Sequence, residues 1–355
     1  MIIGASLLAY DSSHLEMEPT PLRVVTMRQI ADLLPNLISD DTLQNQKAAF
    51  VAHSMNKGTI SPVQTLGQTP AGPMLGGKQS QVCVKTGYIN EDEIFVTKVA
   101  GGGAEGYGNT GIVLVSSQRS LQPQYVLQDN AILTEIRTAA ATALASRYFL
   151  PKKVTRIGLF GGGVQAFWQL RFLTLVTDCR DVVLKTRSQS TAEAFLRKMK
   201  SNPLDAQWRI TVADDDAMDA FKGCQLVHTL TTSREPILLA KHLDLSQDVH
   251  ISAVGADSPG KRELGSCILK CADIIACDSL VQTIERGEGQ FCNQMQRASI
   301  VEIGTLLAKS DKIPPYQANK PRLTIFDSSG IALQDVCIAK ALCQLLEQEA
   351  NSPKY

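Results

Sequence analysis

Arg156-Ile-Gly-Leu-Phe-Gly161-Gly-Gly163-Val-Gln-Ala166 reads as a β-strand that turns sharply into a helix through Gly-x-Gly-x-x-Ala. That pattern is the dinucleotide-binding fingerprint. Gly161 permits the tight turn, Gly163 lets backbone approach a pyrophosphate, and Ala166 lets the helix pack closely on the strand. A helix starting at Val164 aims free N–H groups and the positive end of its dipole at phosphate. Three glycines can also simply make a turn. The context favours the nucleotide reading: an apolar strand precedes the glycines, and an amphipathic segment, Val164 to Val176, follows them.

Outward from this stretch the pattern alternates strand and helix. Further strands are predicted at Asp181–Thr186, Arg209–Ala213, Gln225–Thr231, His250–Gly255 and Asp273–Cys277, with a helix at Thr191–Lys200 among the intervening segments. Such alternation argues an α/β fold with a parallel, doubly wound sheet. The first part of the chain reads differently. Helical segments at Met27–Pro35 and Asp40–Met55 precede strands and Gly/Pro-rich turns. Asn130–Tyr148 has good helix formers and no breaker, so it reads as a long linking helix. A strand at Leu323–Asp327 and a helix at Ala332–Glu349 close the chain.

The 355 residues suit two domains, and an apolar fraction of 44% is enough to fill their cores. The 35 basic residues balance the 35 acidic ones, so no basic surplus points to nucleic acid or an anionic membrane. No apolar run reaches the ~18 residues of a membrane span. The N-terminal MIIGASLLAYDSSH has no basic leader and no small-residue cleavage pattern, so a cytoplasmic protein without a signal peptide is expected. Nine cysteines form no Cys-x-x-Cys. The five histidines, His14, His53, His228, His242 and His250, are scattered, and none lies at zinc spacing. No metal site is expected, and the cysteines read as reduced, small hydrophobes.

Two apolar strands flank the turn Asn90-Glu-Asp-Glu93. A turn centred between Glu91 and Asp92 pairs Tyr88 with Phe95, Thr86 with Thr97 and Val84 with Val99, all favourable across a hairpin. The same register sets Lys85 opposite Lys98. Like charges so placed are unfavourable unless an anion lies between them or one loses its proton. A lysine pushed towards neutrality can act as an acid or base. The alternatives are lysines that snorkel to water, or a slipped register.

Four stretches in order are Leu133-Thr-Glu-Ile-Arg137-Thr138-Ala-Ala140, Gly161-x-Gly-x-Gln165-Ala166, Ser252-Ala-Val-Gly-Ala-Asp257-Ser-Pro-Gly-Lys261-Arg-Glu-Leu264 and Phe326-Asp327-Ser-Ser-Gly330-Ile-Ala-Leu-Gln-Asp335. Together they resemble the ornithine cyclodeaminase/μ-crystallin family. The resemblance implies a Rossmann domain over 131–319, with 131–149 as the linking helix. It also implies a second, α+β substrate-binding and dimerisation domain formed by 1–130 with 320–355, and a homodimer. It implies NAD or NADP, and chemistry at the α-carbon of amino acids. Arg137 matches the family's carboxylate-binding arginine, and a guanidinium grips a carboxylate with two parallel hydrogen bonds. Lys98 matches the active-site lysine and Asp257 the acid/base carboxylate; Asp257 can also be read as an Asx-turn residue before Pro259. Lys261 and Ser328–Gly330 match positions beside the nicotinamide. The remaining cofactor contacts expected on this pattern are Thr138, Gly161, Gly163, Val164, Gln165, Thr231, Val254 and Gly255. Two positions depart from the cyclodeaminases: Lys85 stands where they carry a glutamate, and Pro62-Val63-Gln64 where they carry proline followed by arginine. Lys85 and Gln64 are therefore expected in an altered substrate pocket.

The second strand ends Val182-Val-Leu-Lys185-Thr186-Arg187-Ser188. An NAD-specific site carries an acidic residue there for the ribose 2′-hydroxyl. Thr186 and Arg187 resemble the μ-crystallin pattern instead, and Arg187 can pair a 2′-phosphate. NADP(H) is thus expected over NAD(H). The functional reading is an NAD(P)-dependent oxidoreductase of the ketimine reductase or amino-acid dehydrogenase type. Arg137 and Lys85 would hold the carboxylate, Lys98 would protonate near the imine nitrogen, and Asp257 would move a proton or activate water. The alternatives are a cyclodeaminase that recycles its own NAD, and a non-catalytic ligand-binding protein of the μ-crystallin kind.

Overall fold

The computed structural model describes residues 21–67, 74, 75, 77, 80–310 and 320–351. His14 and the N-terminal stretch read for a leader lie outside the described residues.

Among the described residues eight parallel strands form one sheet, in the order Arg209–Val212, Asp181–Lys185, Ile157–Phe160, Leu226–Thr229, Val249–Ala253, Leu323–Asp327, Ile274–Cys277 and Ile300–Glu302. The central strands are buried along their whole length. Their residues show no in–out alternation, as in strands covered on both faces, and even the polar His228, His250 and Thr324 are buried. The order reverses between Ile157–Phe160 and Leu226–Thr229, and the crevice beyond their carboxyl ends is where such sheets bind ligands. The helices Val164–Leu173 and Gln189–Lys200 follow the first two strands in sequence. The first starts at Val164 as expected but ends at Leu173 rather than Val176, and the second starts two residues before the expected Thr191.

Two findings correct the sequence reading. The division at 320 is wrong for the last strand: Leu323–Asp327 pairs with Val249–Ala253 on one side and Ile274–Cys277 on the other. Five fully buried residues in mid-sheet cannot belong to the other half of the molecule. The strand Ile300–Glu302 was not anticipated, because three residues between the helices Gln294–Ser299 and Ile303–Lys309 carry no readable periodicity.

The second sheet runs Arg23–Val25, Pro123–Leu127, Thr110–Ser117, Ile94–Gly102, Gln81–Ile89 and Gly58–Ile60, with Gln64–Gly67 also paired to Gln81–Ile89. The hairpin has the expected register, with Lys85 opposite Lys98. One face carries Val25, Val96, Lys98, Val113, Val115 and Leu127, all buried. The helix Ala332–Asn351 packs on it over the strands Gln81–Ile89 and Ile94–Gly102. The other face is apolar yet open. By strand register Val24, Leu66, Tyr88 and Ile112 share it, each more than a third exposed.

The helix Ile132–Tyr148 joins the two halves. Asn130 and Ala131 adopt left-handed backbone (φ +47° and +66°), so the helix begins two residues later than expected. Ala139, Ala140, Ala141, Ala143 and Ala145 are fully buried. Their short side chains let the helix pack among Asp40–Ser54, Val164–Leu173 and Ala332–Asn351 at once. Phe50 meets Phe326 edge to face at 5.9 Å, tying the N-terminal helix to the parallel sheet. Among the described residues no helix is long and apolar enough to cross a membrane.

Candidate functional site

Two cavities meet in the crevice at the strand-order reversal. The first, about 760 Å³, is lined by Gly161, Gly162, Thr186, Arg187 and the loop Leu230–Arg234. The second, about 550 Å³, shares that loop and adds Arg137, Thr138, Val164, Gln165, Val254, Gly255, Asp257, Lys261 and Ser328–Gly330. Gly161 has φ +107°, a conformation that L side chains rarely adopt. A Cβ on Gly163 would meet nothing within 4 Å, so the backbone there faces open space. The helix that starts at Val164 has no side-chain cap. Its first N–H groups are left for an anion. Gly255 is required for another reason: a Cβ would fall 2.0 Å from the Thr231 carbonyl oxygen. These features fit a dinucleotide whose diphosphate spans Gly161–Val164.

Glu263 holds the two loops of the crevice together. One carboxylate oxygen accepts from the Thr231 N–H and hydroxyl at 2.6 and 2.7 Å, and the other from the Gly255 N–H at 2.9 Å. Burial pushes its carboxyl up, against the pull of these hydrogen bonds. At the far end of the first cavity the Thr186 hydroxyl is spent on the Ser188 carbonyl, and Lys185 pairs with Asp215 at 2.7 Å. Arg187 is exposed and makes no hydrogen bond or ion pair among the described residues.

A buried charge cluster backs the second cavity. Arg137 is 5% exposed, which excludes a helix-surface role. Its Nε donates to Asp335 Oδ1 at 3.2 Å and its Nη1 to Gln334 Oε1 at 3.3 Å, while Nη2 makes no hydrogen bond among the described residues. Lys98 Nζ donates to the same Asp335 oxygen at 2.9 Å and to the Thr134 hydroxyl at 3.1 Å. Lys85 Nζ donates to the Gly330 carbonyl at 2.7 Å. Asp278 in turn accepts from the Gly330 N–H and from the Ser328 and Ser329 hydroxyls, fixing that loop.

The two lysines meet their mutual repulsion differently. An anion, Asp335, takes Lys98. Among the described residues no carboxylate bonds Lys85; burial first, then Lys98 and Arg137, lower its pKa to about 7. Burial also lowers Lys98, with Asp335 resisting. Burial works against ionised Asp335, but Lys98, Arg137 and Lys85 outweigh it and hold the carboxyl below its ordinary range.

The predicted site residues divide accordingly. Arg137, Thr138, Val164, Gln165, Thr231, Val254, Gly255, Asp257, Lys261, Ser328 and Gly330 line the second cavity, and Gly161, Thr186 and Arg187 the first. Lys85 and Lys98 lie one layer behind, reaching the wall through Gly330 and Thr134. Snorkelling to water is ruled out, since they are 7% and 3% exposed. Gln64 is a correction. It pairs with Val84 and is exposed, so it shares the sheet face opposite to Lys85 and stays out of the pocket. Asp257 Oδ1 pairs with Lys261 Nζ at 2.6 Å and remains half-exposed at the cavity edge.

Several functional residues went unread. Asp335 stood inside a quoted motif, but an acid in a helix's first turn looks like a dipole partner. Glu135 lines the second cavity and accepts from Asn109 Nδ2 at 2.8 Å and from Gln165 Nε2. Its position two residues before Arg137 was the only available signal. Glu263 and Asp278 carried none, because buried loop braces have no spacing rule.

Residues 104–349 match the ornithine cyclodeaminase/mu-crystallin family. The chain is 34% identical over 282 residues to an uncharacterized cyclodeaminase of Sinorhizobium fredii, covering 77% of this chain and 82% of the relative. It is 27% identical to the iminosuccinate reductase of Paracoccus denitrificans, covering 61% of this chain and 65% of the relative. An archaeal alanine dehydrogenase dimer with bound NAD shares the fold with a TM-score of 0.76 at 24% identity, covering 94% of this chain and 98% of the other.

Proposed function

We propose that this chain, which belongs to the ornithine cyclodeaminase/mu-crystallin family, is an NAD(P)-dependent oxidoreductase acting at the α-carbon of an amino acid or its imine. One observation carries the reading. The crevice that fits a dinucleotide opens, at its inner end, onto an arginine whose Nη2 makes no hydrogen bond among the described residues, backed by two buried lysines. The nicotinamide, when bound, supplies or takes the hydride at the α-carbon.

The chain's own residues orient and protonate. Arg137 grips the α-carboxylate, held in place by Asp335 and Gln334. Lys85 adds positive charge from behind Gly330. Lys98 passes a proton towards the imine nitrogen through the Thr134 hydroxyl, which lines the cavity. Asp257, at the solvent edge beside Lys261, exchanges protons with water. Gly161, Gly163 and the uncapped helix start hold the diphosphate, with Val164, Gln165, Thr138, Thr231, Val254, Gly255, Lys261, Ser328 and Gly330 around the nicotinamide half.

NADP(H) is preferred over NAD(H) in this reading, because Arg187, unpaired among the described residues, stands beside Thr186 where the ribose lies. Asp215 on the same wall is neutralised by Lys185. The working unit is a homodimer of a cytoplasmic enzyme, and the open apolar sheet face of Val24, Leu66, Tyr88 and Ile112 supports pairing with a second copy.

The cyclodeaminase reading is supported by relatives of that name, among them the S. fredii protein. A panel of amino acids, α-imino acids and cyclic imines, followed at the nicotinamide absorbance band with either cofactor, tests the choice. Net absorbance change supports the oxidoreductase. Product with no net change supports a cyclodeaminase, and binding without turnover supports a ligand-binding protein.

A further inference from the structure

The dinucleotide reading leaves one cation of the crevice without a task. Arg234 sits on the loop after the strand Leu226–Thr229 and lines both cavities. A dinucleotide's diphosphate joins its adenosine half to its nicotinamide half, so a residue bordering both cavities borders the diphosphate. The guanidinium rests across the loop that carries Asp257 and Lys261. Its Nη1 donates to the Pro259 carbonyl at 3.3 Å, and a Cβ on Gly260 would lie 2.9 Å from that same nitrogen. This is the residue's one hydrogen bond among the described residues, so most of its five N–H donors are unspent. No carboxylate among the described residues pairs with it. The same cavities are lined by Gly161 and Gly162 on one side of Gly163 and by Val164, the uncapped helix start, on the other. An anion at the helix start is then within a cavity that also holds a planar, partly free guanidinium.

We propose that Arg234 is a diphosphate clamp that binds the cofactor where the two cavities of the crevice meet. The inference rests on the dinucleotide reading of the crevice. It assigns to Arg234 a role distinct from that of Arg187: Arg234 reads the diphosphate common to both cofactors, and Arg187 reads the 2′-phosphate of one. Arg234 is exposed, so its replacement leaves the core untouched.

Calorimetric titration of NADH, NADPH and ADP-ribose into the wild type, Arg234→Ala, Arg234→Lys and Arg187→Ala tests this without relying on turnover. Arg234→Ala should weaken all three ligands by a common factor of about 10- to 100-fold, the weight of one charge-assisted hydrogen bond. Arg234→Lys should restore part of the loss, since it keeps the charge and loses the fork. Arg187→Ala should weaken NADPH alone. Unchanged binding by Arg234→Ala, or a loss confined to NADPH, overturns the clamp and leaves the dinucleotide reading standing. A loss for the dinucleotides but not for ADP-ribose would also overturn it, placing Arg234 at the nicotinamide. A wild type that binds none of the three overturns the reading of the crevice and the clamp together.

Discussion

Asp335→Asn is the most informative single change. One oxygen of Asp335 accepts from both Lys98 and Arg137, and all three side chains are nearly inaccessible to water. Asparagine keeps the shape and one acceptor but removes the charge. Lys98 and Arg137 are then left as buried like charges, with Lys85 adding to the repulsion. Removing one partner of a buried pair costs ~3–5 kcal/mol, because the other charge is left uncompensated. The residual amide acceptor puts the expected loss at the lower end, about 3 kcal/mol. Urea unfolding of the variant and the wild type at neutral pH measures it. The loss should shrink as pH rises and the lysines give up their protons. A loss within the ~0–1 kcal/mol of an exposed pair would refute the argument. So would a loss independent of pH above neutrality. In the wild type the sign is opposite at the acid end. The carboxyl is held low in the folded state, so its contribution is complete above the ordinary value near ~3.9 and fades as pH falls through the lower folded value.

Lys85 is buried with a pKa lowered to about 7, so the unfolded chain binds more protons between that pH and the ordinary lysine value near ~10.4. Wild-type stability should rise with pH across this window, and Lys85→Met should remove the rise; equal slopes by urea unfolding would show that Lys85 is not buried as described. A bound carboxylate restores the Lys85 charge, so substrate dissociation constants should weaken above about pH 7 by up to tenfold per pH unit, and Lys85→Ala should flatten that profile. Arg187→Ala should weaken NADPH binding by about 10- to 100-fold and spare NADH, as read by nucleotide titration; equal effects on both would remove Arg187 from the 2′-phosphate. Asp257→Asn should lower turnover only within the ~10²–10⁴-fold range of one acid/base group, because a reductase receives its imine ready-made. Complete loss of turnover would favour the cyclodeaminase cycle instead.

The parallel sheet was legible because buried strands and their glycine turn obey local rules. Gly161 needs its positive φ wherever the chain goes next, and Ile157–Phe160 is apolar whatever covers it. The opposition of Lys85 and Lys98 was legible for the same reason, since a short turn fixes a hairpin's register. The membership of Leu323–Asp327 was not, because which sheet a late strand enters depends on neighbours far along the chain. Asp335 and Glu263 escaped for a related reason. Each acts through partners more than twenty residues away, Lys98 and Arg137 for the first and Thr231 for the second. Gln64 was misplaced by aligning it as a residue type, when the pleat of its strand decides which face it takes.

The central claim is net hydride transfer at an α-carbon. Its most direct test is to incubate the purified protein with NADPH or NADH and a set of α-imino acids formed in situ, quantifying amino acid and oxidised cofactor together. The account predicts one oxidised nicotinamide per amino acid formed, with the NADPH reaction favoured. Conversion of ornithine to proline and ammonia with no net change in the nicotinamide would contradict it.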